Sequence, residues 1–572
     1  MKKLITIGVI LVVSAILGLP LLSPGLHTIH DDQQIVRLFL FDQALFAGQF
    51  PVRWVDGLGF GFGYPLFVFY PPLVYATGEL FHLFGFGFTD SIKIVFFISI
   101  IGSGFAMYLF VKEIFGKYAA MISSIFYMLA PYRAVDIYVR GALAEAFSFV
   151  WFPLILLSFY KLATTSKNTY LLLSAVGLAL LMLTHNLIFL PFMLILPFYL
   201  LFLIWHSSQK SSTILHFSFS ILLSFALSAF FWIPALFEKK FTIVDELLLK
   251  NLASYSIHFV YPQQLWNWAW GFGGSAAGLA DGFSFKIGKI HIISALIALI
   301  FATIHLVKNK KAGSVFRYNC YLSILIFGLF IFSAFMTTFY SKFIWDLIPS
   351  LGYLQFPWRF LTFTVLFSSI SAGSLIYLLK LPILRLATST ILAAFVFVPN
   401  FKLFEPQYFR SHLTDELATK KEIINWDISG TSFEYLPKGV ELYRGSLGTN
   451  LVKIEKSQIS QQKIEIIEGE ASIDNLKSKP TKISFIINAQ KETKFKANIF
   501  NFPGWHLTID NRQVPIDDSN RLKLITASIP PGMHLVEIEL KNTRTRNIAN
   551  SISLFSVLVT LTLMASRLRK LF

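Results

Sequence analysis

Two adjacent aspartates, Asp31 and Asp32, follow His30 just beyond the first hydrophobic run of the chain. A carboxylate at the mouth of a membrane span is costly unless it is hydrated, paired or used in chemistry. In that last role it would act as a general acid or base. A structural alternative stays open, because an aspartate before a helix can cap the free N–H groups of its first turn.

Two arginines stand at the ends of other hydrophobic runs. Arg359 follows Trp358 at the start of one run, and Arg140 follows Tyr138-Val139 before another. The planar guanidinium fork matches the oxygens of a phosphate, and Trp358 would line a greasy entrance beside it. The alternative for Arg359 is a side chain that snorkels to the membrane interface next to an aromatic belt.

The remaining chemical candidates are Glu145 and His185. Arg140 and Glu145 lie five residues apart and either pair with each other, pair with Asp136, or place a second carboxylate in the site. A lone histidine such as His185 is more often a hydrogen-bonded structural residue. Asp31, Glu145 and His185 would make a mixed metal site, but no spacing motif supports it. Metal ligands and cofactors therefore stay unassigned, with a divalent cation left open.

These residues belong to a membrane protein. Of the 572 residues 55% are hydrophobic and 14% charged, against roughly 25% charged in soluble domains. We predict about twelve spans of about 20 apolar residues. They are an uncleaved first span ending near Leu22, then 92–111, 118–132, 146–163, 170–187, 188–205, 214–236, 291–307, 319–337, 360–379, 384–399 and 550–566.

The net charge of +17 follows from where the basic residues lie. They fall in alternate short loops, which is the positive-inside pattern and argues against nucleic-acid binding. These are Lys2, Lys112, Lys117, Lys161, Lys167, Lys210, Lys308, Lys310, Lys311, Arg317, Lys380, Arg385, Arg567, Arg569 and Lys570. We therefore predict both termini in the cytoplasm of a prokaryote, in the inner (cytoplasmic) membrane. The long segments 23–90, 133–145, 237–290, 338–358 and 400–549 then share the opposite face.

The segment 400–549 has a different composition. Its short alternating runs, such as Val536-Glu537-Ile538-Glu539-Leu540, are separated by turn signals such as Pro530-Pro531-Gly532. This pattern is typical of a β-sandwich with one buried face. We predict an all-α polytopic membrane domain over 1–399, an extracytoplasmic β-sandwich over 400–549, and a last span with a basic tail over 550–572.

Several motifs carry a resemblance to a known family. They are His30-Asp31-Asp32, Gly48 to Trp54, Gly61 to Pro65, Tyr138 to Glu145, Leu183 to Asn186, Gln355 to Phe360, and Phe502 to Trp505 with Asp510-Asn511. Together they resemble bacterial YfhO-type proteins, also called "6-pyruvoyl-tetrahydropterin synthase-related" membrane proteins. That family falls in the GT-C class of glycosyltransferases.

The resemblance implies an enzyme that transfers a sugar from a polyprenyl-phosphate donor to a cell-envelope polymer, glycolipid or protein on the outer face of the membrane. It implies a catalytic acid in the first outer loop. The family motif, in which His-Asp-Gly is the more frequent form, favours Asp31, with Asp32 second. Arg359 and Arg140 would bind the donor phosphate. His30, Arg53, Tyr64, Glu145, His185 and Trp358 would line the site.

Two other functions remain open. A lipid or polymer transporter would place ionisable residues at mid-bilayer and often show inverted repeats. In this chain the notable charges lie at span ends and in long loops, and no repeat is evident. A non-catalytic envelope scaffold on the same membrane fold is the third possibility, with the β domain binding a partner.

Overall fold

The structure is a computed structural model that describes residues 2–248, 254–308, 311, 313–411, 413–444, 450–459 and 462–568. The predicted cytoplasmic residues Lys310, Arg569 and Lys570 lie outside these ranges. The helices before residue 210 are α1 (Lys2–Gly18), α2 (Gln34–Phe46), α3 (Leu66–Phe69), α4 (Leu73–Leu83), α5 (Phe88–Phe115), α6 (Lys117–Met128), α7 (Pro131–Ala134), α8 (Leu143–Thr165), α9 (Asn168–Thr184) and α10 (Asn186–His206). Those from residue 210 onward are α11 (Lys210–Leu227), α12 (Ala229–Glu238), α13 (Val244–Leu248), α14 (Pro262–Trp266), α15 (Lys289–Lys308), α16 (Ser314–Thr337), α17 (Lys342–Leu347), α18 (Leu361–Leu378), α19 (Pro382–Asn400), α20 (Asp415–Ala418), α21 (Ser429–Thr431) and α22 (Arg544–Leu568).

Nine helices within the described ranges are long and apolar enough to cross a membrane. They are α5, α8, α10, α11, α15, α16, α18 with its preceding turn, α19 and α22. Two shorter apolar helices, α9 and the run Ile7–Leu22, lie beside them. The chain is therefore a multi-pass membrane protein, and a helix stands at each of the twelve predicted spans.

Two predicted spans differ in detail from the helices that occupy them. The span predicted at 118–132 is α6, whose 12 residues extend only about 18 Å. Pro131 then starts α7 and a short π-helix, Val135–Arg140, so the chain turns back into the protein with Arg133 and Asp136 buried. The span predicted at 214–236 is two helices, α11 and α12, which meet at Ser228. There the Ser228 hydroxyl donates to the Ser224 carbonyl oxygen and competes with the helix ladder.

The long segments predicted to share one face contact one another. The first segment pairs with the last through two short antiparallel strands, β1 (Leu26–His27) and β2 (Phe409–Arg410). The His30 ring is 2.9 Å from the carbonyl oxygen of Phe272 in the third segment. In the fourth, Thr338 bridges to Val260 of the third. These contacts gather the polar loops at one end of the helix bundle.

An apolar pattern after Asp32 predicts an amphipathic helix that lies on the membrane surface: Ile35, Leu38, Phe39, Phe41, Leu45 and Phe46. The structure has helix α2 there. Instead eight of its 13 residues are buried, because it packs against α4 and α5 inside the loop assembly. The contact with α5 is reinforced by Asp415, whose carboxylate accepts hydrogen bonds from the N–H groups of Phe88 (2.7 Å) and Thr89 (2.9 Å). Asp415 therefore caps α5 from a distant part of the chain.

The C-terminal strands form a two-stranded pair and two larger antiparallel sheets. The strands that follow β2 are β3 (Leu442–Arg444), β4 (Asn450–Val452), β5 (Ile464–Glu468), β6 (Ala471–Lys479), β7 (Lys482–Ala489), β8 (Thr493–Phe500), β9 (Trp505–Ile509), β10 (Arg512–Val514), β11 (Leu524–Ile529) and β12 (Gly532–Leu540). One sheet has the order β10-β9-β12-β7-β6 and the other β11-β8-β5. Phe485 and Phe495 meet between the sheets with ring centroids 5.5 Å apart. The predicted fold class, an all-α membrane domain with a β-sandwich, is confirmed.

The sandwich is joined to the helical part by specific contacts. The N–H of Phe500 donates to the carbonyl oxygen of Phe62 at 2.9 Å. The rings of Trp54 and Trp505 meet edge to face at 5.4 Å. Within the described ranges, residues 401–436 hold only short helices and β2 rather than sandwich strands. This part of the chain instead reaches across the loop assembly to the site described below.

Candidate active site

A cavity of about 1130 Å³ opens among the gathered loops. Seven of the predicted site residues line it: His30, Asp31, Arg140, Glu145, His185, Trp358 and Arg359. The other three, Asp32, Arg53 and Tyr64, do not line it. Four separate parts of the sequence therefore contribute their predicted residues to one space.

Asp31 and Asp32 have different surroundings. Main-chain hydrogen bonds fix this stretch, because the Asp31 N–H donates to the Arg140 carbonyl oxygen at 2.8 Å. The Asp31 side chain is exposed to the cavity and makes no ion pair or hydrogen bond with a described residue. The Asp32 carboxylate instead lies 3.8 Å from the Arg410 guanidinium, and partial burial raises its pKa.

The capping interpretation of this pair is wrong. Helix α2 begins at Gln34, its N-cap residue is Gln33, and no side chain caps it. The aspartates precede the cap position, so neither reaches the orphan N–H groups. The free carboxylate of Asp31 therefore has no structural role among its described contacts.

Glu145 organises the arginines at this end of the cavity. Its Oε2 accepts from Arg140 at 2.8 Å and lies 3.8 Å from Nε of Arg359. Its Oε1 accepts from the hydroxyls of Tyr132 at 2.7 Å and Thr362 at 2.9 Å. Both carboxylate oxygens are thus engaged, and Glu145 holds two guanidinium groups in place. The predicted pairing of Arg140 with Glu145 is observed, together with the pairing to Asp136 at 2.6 Å.

The local chain is shaped for this arrangement. After the π-helix, Gly141 adopts a φ of +66°, and a Cβ there would lie 2.5 Å from Ile29. Only glycine fits such a turn without strain. The turn brings the side chain of Arg140 back onto Glu145 in the first turn of α8. The motif Arg140-Gly141 to Glu145 is therefore one structural unit.

Two guanidinium groups border this end of the cavity. Asp136 is fully buried and its Oδ2 has no hydrogen-bond partner in the described part of the chain, and burial together with the charge of Glu145 raises its pKa well above the usual range. Nε of Arg359 likewise has no hydrogen-bond partner among the described residues. The two arginines can therefore bind an anion that enters from the cavity.

His185 and Trp358 have supporting positions. Nδ1 of His185 accepts from the Ile188 N–H at 3.2 Å and so caps α10. Burial and the nearby Arg359 lower the pKa of His185 to about 3, so the ring is neutral. The indole of Trp358 lies under the Arg140 guanidinium, 4.5 Å from ring centroid to Cζ. This stacking fixes the plane of Arg140.

Arg53 and Tyr64 lie behind the cavity wall. Arg53 donates to Asn550 at 2.7 Å, to Asn542 at 3.2 Å and to the Phe230 carbonyl oxygen, and so connects the first loop to α12 and α22. The Tyr64 hydroxyl accepts from the Tyr435 N–H at 2.8 Å. It also donates to Glu434 at 3.3 Å, and Glu434 does line the cavity.

A second polar region, which we call the glutamate end, was missed by the sequence analysis. It comprises Arg37, Tyr70, Glu434 and Tyr435, all of which line the cavity. Arg37 lies over the Tyr70 ring at 4.3 Å and donates to Ser432 at 3.3 Å. Glu434 makes no ion pair within the described part of the chain, and burial raises its pKa.

Of the four residues at the glutamate end, only Arg37 can be recognised from the sequence as a candidate site residue. It is an arginine within the apolar pattern of α2, and a charge at such a position needs a buried partner or a cavity. Glu434 had none, because it sits in a stretch assigned to the β domain. The end of the cavity described first, which we call the arginine end, comprises Asp31, Arg140, Glu145 and Arg359.

The remaining wall of the cavity is apolar. It is built from the start of α10 and from α11 and α12, with Leu187, Leu190, Met193, Phe225, Trp232 and Leu236. Leu236 is 54% exposed at the flank of the bundle. The cavity therefore joins two polar ends to an apolar side that reaches the exposed surface at Leu236.

No group of three histidine, cysteine, aspartate or glutamate side chains is close enough to hold a metal ion within the residues that the structure describes. Glu145, which was considered as a ligand beside Asp31 and His185, has its oxygens engaged by arginine, tyrosine and threonine.

The fold and the cavity define a multi-pass membrane protein with an amphipathic pocket at the mouth of its helix bundle. No protein-family model matches the chain, and no curated protein matches it. Among solved structures it is similar to the arabinofuranosyltransferase AftD from Mycobacteria, with 13% identity and a TM-score of 0.44 over 70% of this chain. The match covers 27% of AftD, so this chain spans about a quarter of that protein.

Proposed function

We propose that this protein is a glycosyltransferase of the GT-C class, which moves a sugar from a polyprenyl-phosphate donor to a cell-envelope acceptor. One observation carries the proposal: a single cavity joins a free carboxylate and two arginines to an apolar wall at the flank of the bundle. A lipid-linked phosphate has this same division into an anionic head and a long apolar tail. The sequence resemblance points to the same class.

The residues of the arginine end then have distinct roles. Asp31 takes the proton from the acceptor hydroxyl while the hydroxyl oxygen bonds to the anomeric carbon of the donor sugar. The bond between that carbon and the phosphate oxygen breaks, and the phosphate leaves on the polyprenyl chain. Arg359, with Arg140 second, stabilises the departing phosphate. Glu145 and Trp358 position the two guanidinium groups.

The glutamate end would hold the acceptor. Glu434 and Arg37 offer a hydrogen-bond acceptor and a donor to sugar hydroxyls, beside the rings of Tyr70 and Tyr435. Their charges balance, which suits a neutral polyhydroxyl ligand. The acceptor would therefore approach between α2 and residues 431–435, opposite the phosphate.

The proposed orientation puts the cavity and the sandwich outside the cell and both termini in the cytoplasm. Support comes from the basic loops at the other ends of the spans. Reporter fusions at residue 3, near 312 and near 470 test this. A cytoplasmic signal from the reporter fused near residue 470 would contradict the proposed function.

The test of activity uses purified protein in liposomes with a panel of radiolabelled polyprenyl-phosphate sugars and envelope extract as acceptor. We expect acceptor labelling together with release of unglycosylated polyprenyl phosphate. Arg359→Lys keeps the charge but loses the planar fork, and should lower the rate about 10²-fold. Movement of intact donor across the bilayer without bond cleavage would instead identify a transporter.

A further inference from the structure

A second cavity, of about 610 Å³, lies on the same face of the bundle as the main cavity, and no residue lines both. Its walls come from the loop before α15, the first turn of α15 and the last two turns of α19. We call it the α15–α19 cavity. Because both helices are candidate spans that begin or end there, it lies at the boundary between lipid and water.

Two lysines at this cavity lack a counter-ion. The ammonium groups of Lys286 and Lys289 make no ion pair or hydrogen bond with any described residue. Each lies near a tryptophan ring instead, Lys286 at 5.4 Å from Trp270 and Lys289 at 5.8 Å from Trp266. Burial and the repulsion of Lys289 lower the pKa of Lys286. The pair is therefore an uncompensated positive charge that an anion would stabilise.

Two further features of the wall favour an anion with hydroxyl groups. The cavity includes the first turn of α15, a 20-residue helix whose free N–H groups and dipole favour negative charge. His291 also lines it and is fully buried, and its Nδ1 has no hydrogen-bond partner among the described residues. Nε2 faces the carbonyl oxygen of Phe126 at 3.1 Å and so carries the proton, which leaves Nδ1 as an acceptor.

The wall that α19 contributes to this cavity is apolar and faces lipid. Phe395 is 59% exposed and Val398 is 65% exposed, and only 6% of the α19 span is buried. A soluble anion would leave these side chains uncovered, whereas an acyl chain would run along them. The occupant therefore needs an anionic head and a hydrocarbon tail in the same molecule.

We infer that the α15–α19 cavity binds the phosphate head group of an anionic phospholipid in the leaflet that adjoins the main cavity. Lys286, Lys289 and the first turn of α15 hold the phosphate, and α19 carries the acyl chain. The site is separate from the proposed catalytic cavity and stands whether or not the protein transfers sugar.

The test is native mass spectrometry of the full-length protein after exchange from nanodiscs that contain phosphatidylglycerol or only phosphatidylcholine. We expect one tightly retained phosphatidylglycerol on the unaltered protein. The double variant Lys286→Gln/Lys289→Gln should weaken its retention about thirty-fold, since each lysine near a membrane surface contributes about 1 kcal/mol. The matched control, Lys308→Gln/Lys380→Gln, removes two exposed lysines from the opposite ends of neighbouring helices and should leave retention unchanged.

Two results would overturn the inference. Equal retention by both double variants would mean that the lysine pair does not hold the lipid. Displacement of the lipid by millimolar inorganic phosphate or glycerol phosphate would mean that the site binds free phosphate and the apolar wall adds nothing. Because sugar transfer is not part of the readout, neither result bears on the proposed catalytic function.

Discussion

The arginine end and the glutamate end of the cavity differ in how their carboxylates are used. At the arginine end, Glu145 is saturated by arginine, tyrosine and threonine donors, and the carboxylate left free is Asp31. At the glutamate end, Glu434 accepts a hydrogen bond from Tyr64 at 3.3 Å and makes no ion pair within the described ranges. One end is pre-organised around positive charge, and the other presents an unpaired carboxylate to a neutral ligand.

Under the proposed function, this difference predicts separate roles for the two ends of the cavity. Two buried arginines held by one glutamate form a rigid anion site that needs no rearrangement when charge develops. A less constrained carboxylate with tyrosines beside it can adapt to several hydroxyl positions. The arginine end should therefore control the rate of transfer, and the glutamate end should control the choice of acceptor.

The largest effect is expected at Asp31. Asp31→Asn keeps the size of the side chain and removes its basicity, so transfer should fall about 10²–10⁴-fold. The measurement is label transfer in liposomes at matched protein levels. Asp32→Asn is the matched control, because Asp32 faces Arg410 outside the cavity and its loss should change the rate less than about two-fold.

The pattern of the two variants decides the assignment. An inactive Asp32→Asn with an active Asp31→Asn would move the base to the neighbouring residue. Near-normal activity in both would end the catalytic role of the pair and would leave the free carboxylate of Asp31 unexplained.

A smaller and different effect is expected at Glu434. Glu434→Gln replaces a charged hydrogen-bond acceptor with a neutral one, which typically costs 1.5–3 kcal/mol. We expect the KM for the acceptor to rise about ten-fold or more, with release of polyprenyl phosphate in the absence of acceptor unchanged. The exposed Glu416→Gln, in the same 401–436 segment, is the control. A loss of donor cleavage in Glu434→Gln would place this carboxylate at the reaction centre instead.

The same contrast explains what the sequence could predict. Arg140, Glu145 and the intervening glycine lie in one short motif, so their pairing was visible as an alternative before the structure. Asp31 and Arg359 can be recognised from the sequence because a charge at the end of a span is costly unless it is hydrated, paired or used in chemistry. Their convergence needed only that alternate loops share one face of the membrane.

The glutamate end was not predictable for a physical reason. Its carboxylate and Arg37 are separated by almost 400 residues and meet only because residues 401–436 fold back over α2. Hydrophobic periodicity does not report such a contact. The same limit applies to α6, whose apolar run predicts a full span, because a helix buried by its neighbours and a helix facing lipid have similar compositions.

The smallest expected effect is on the pH dependence of stability, and it isolates the environment of Glu434. Burial raises the pKa of this carboxyl above its ordinary value of 4.5, so the folded protein holds the proton more tightly than the unfolded chain. Stability from this group is therefore present at low pH and is lost as pH rises through the folded pKa. The Glu434→Gln variant has no ionisable group at this position and therefore lacks this pH-dependent contribution to stability.

The measurement is the Tm of detergent-purified protein between pH 5 and pH 8, for the unaltered chain and for Glu434→Gln. Asp136 and Asp32 also have raised pKa values, but both proteins contain them, so the difference in Tm reports Glu434 alone. We expect the unaltered protein to lose about 1–2 °C relative to the variant over this range, because a small free-energy change shifts Tm little in a large protein. A difference that stays constant with pH would show that Glu434 does not change its protonation state between pH 5 and pH 8, which would contradict this prediction.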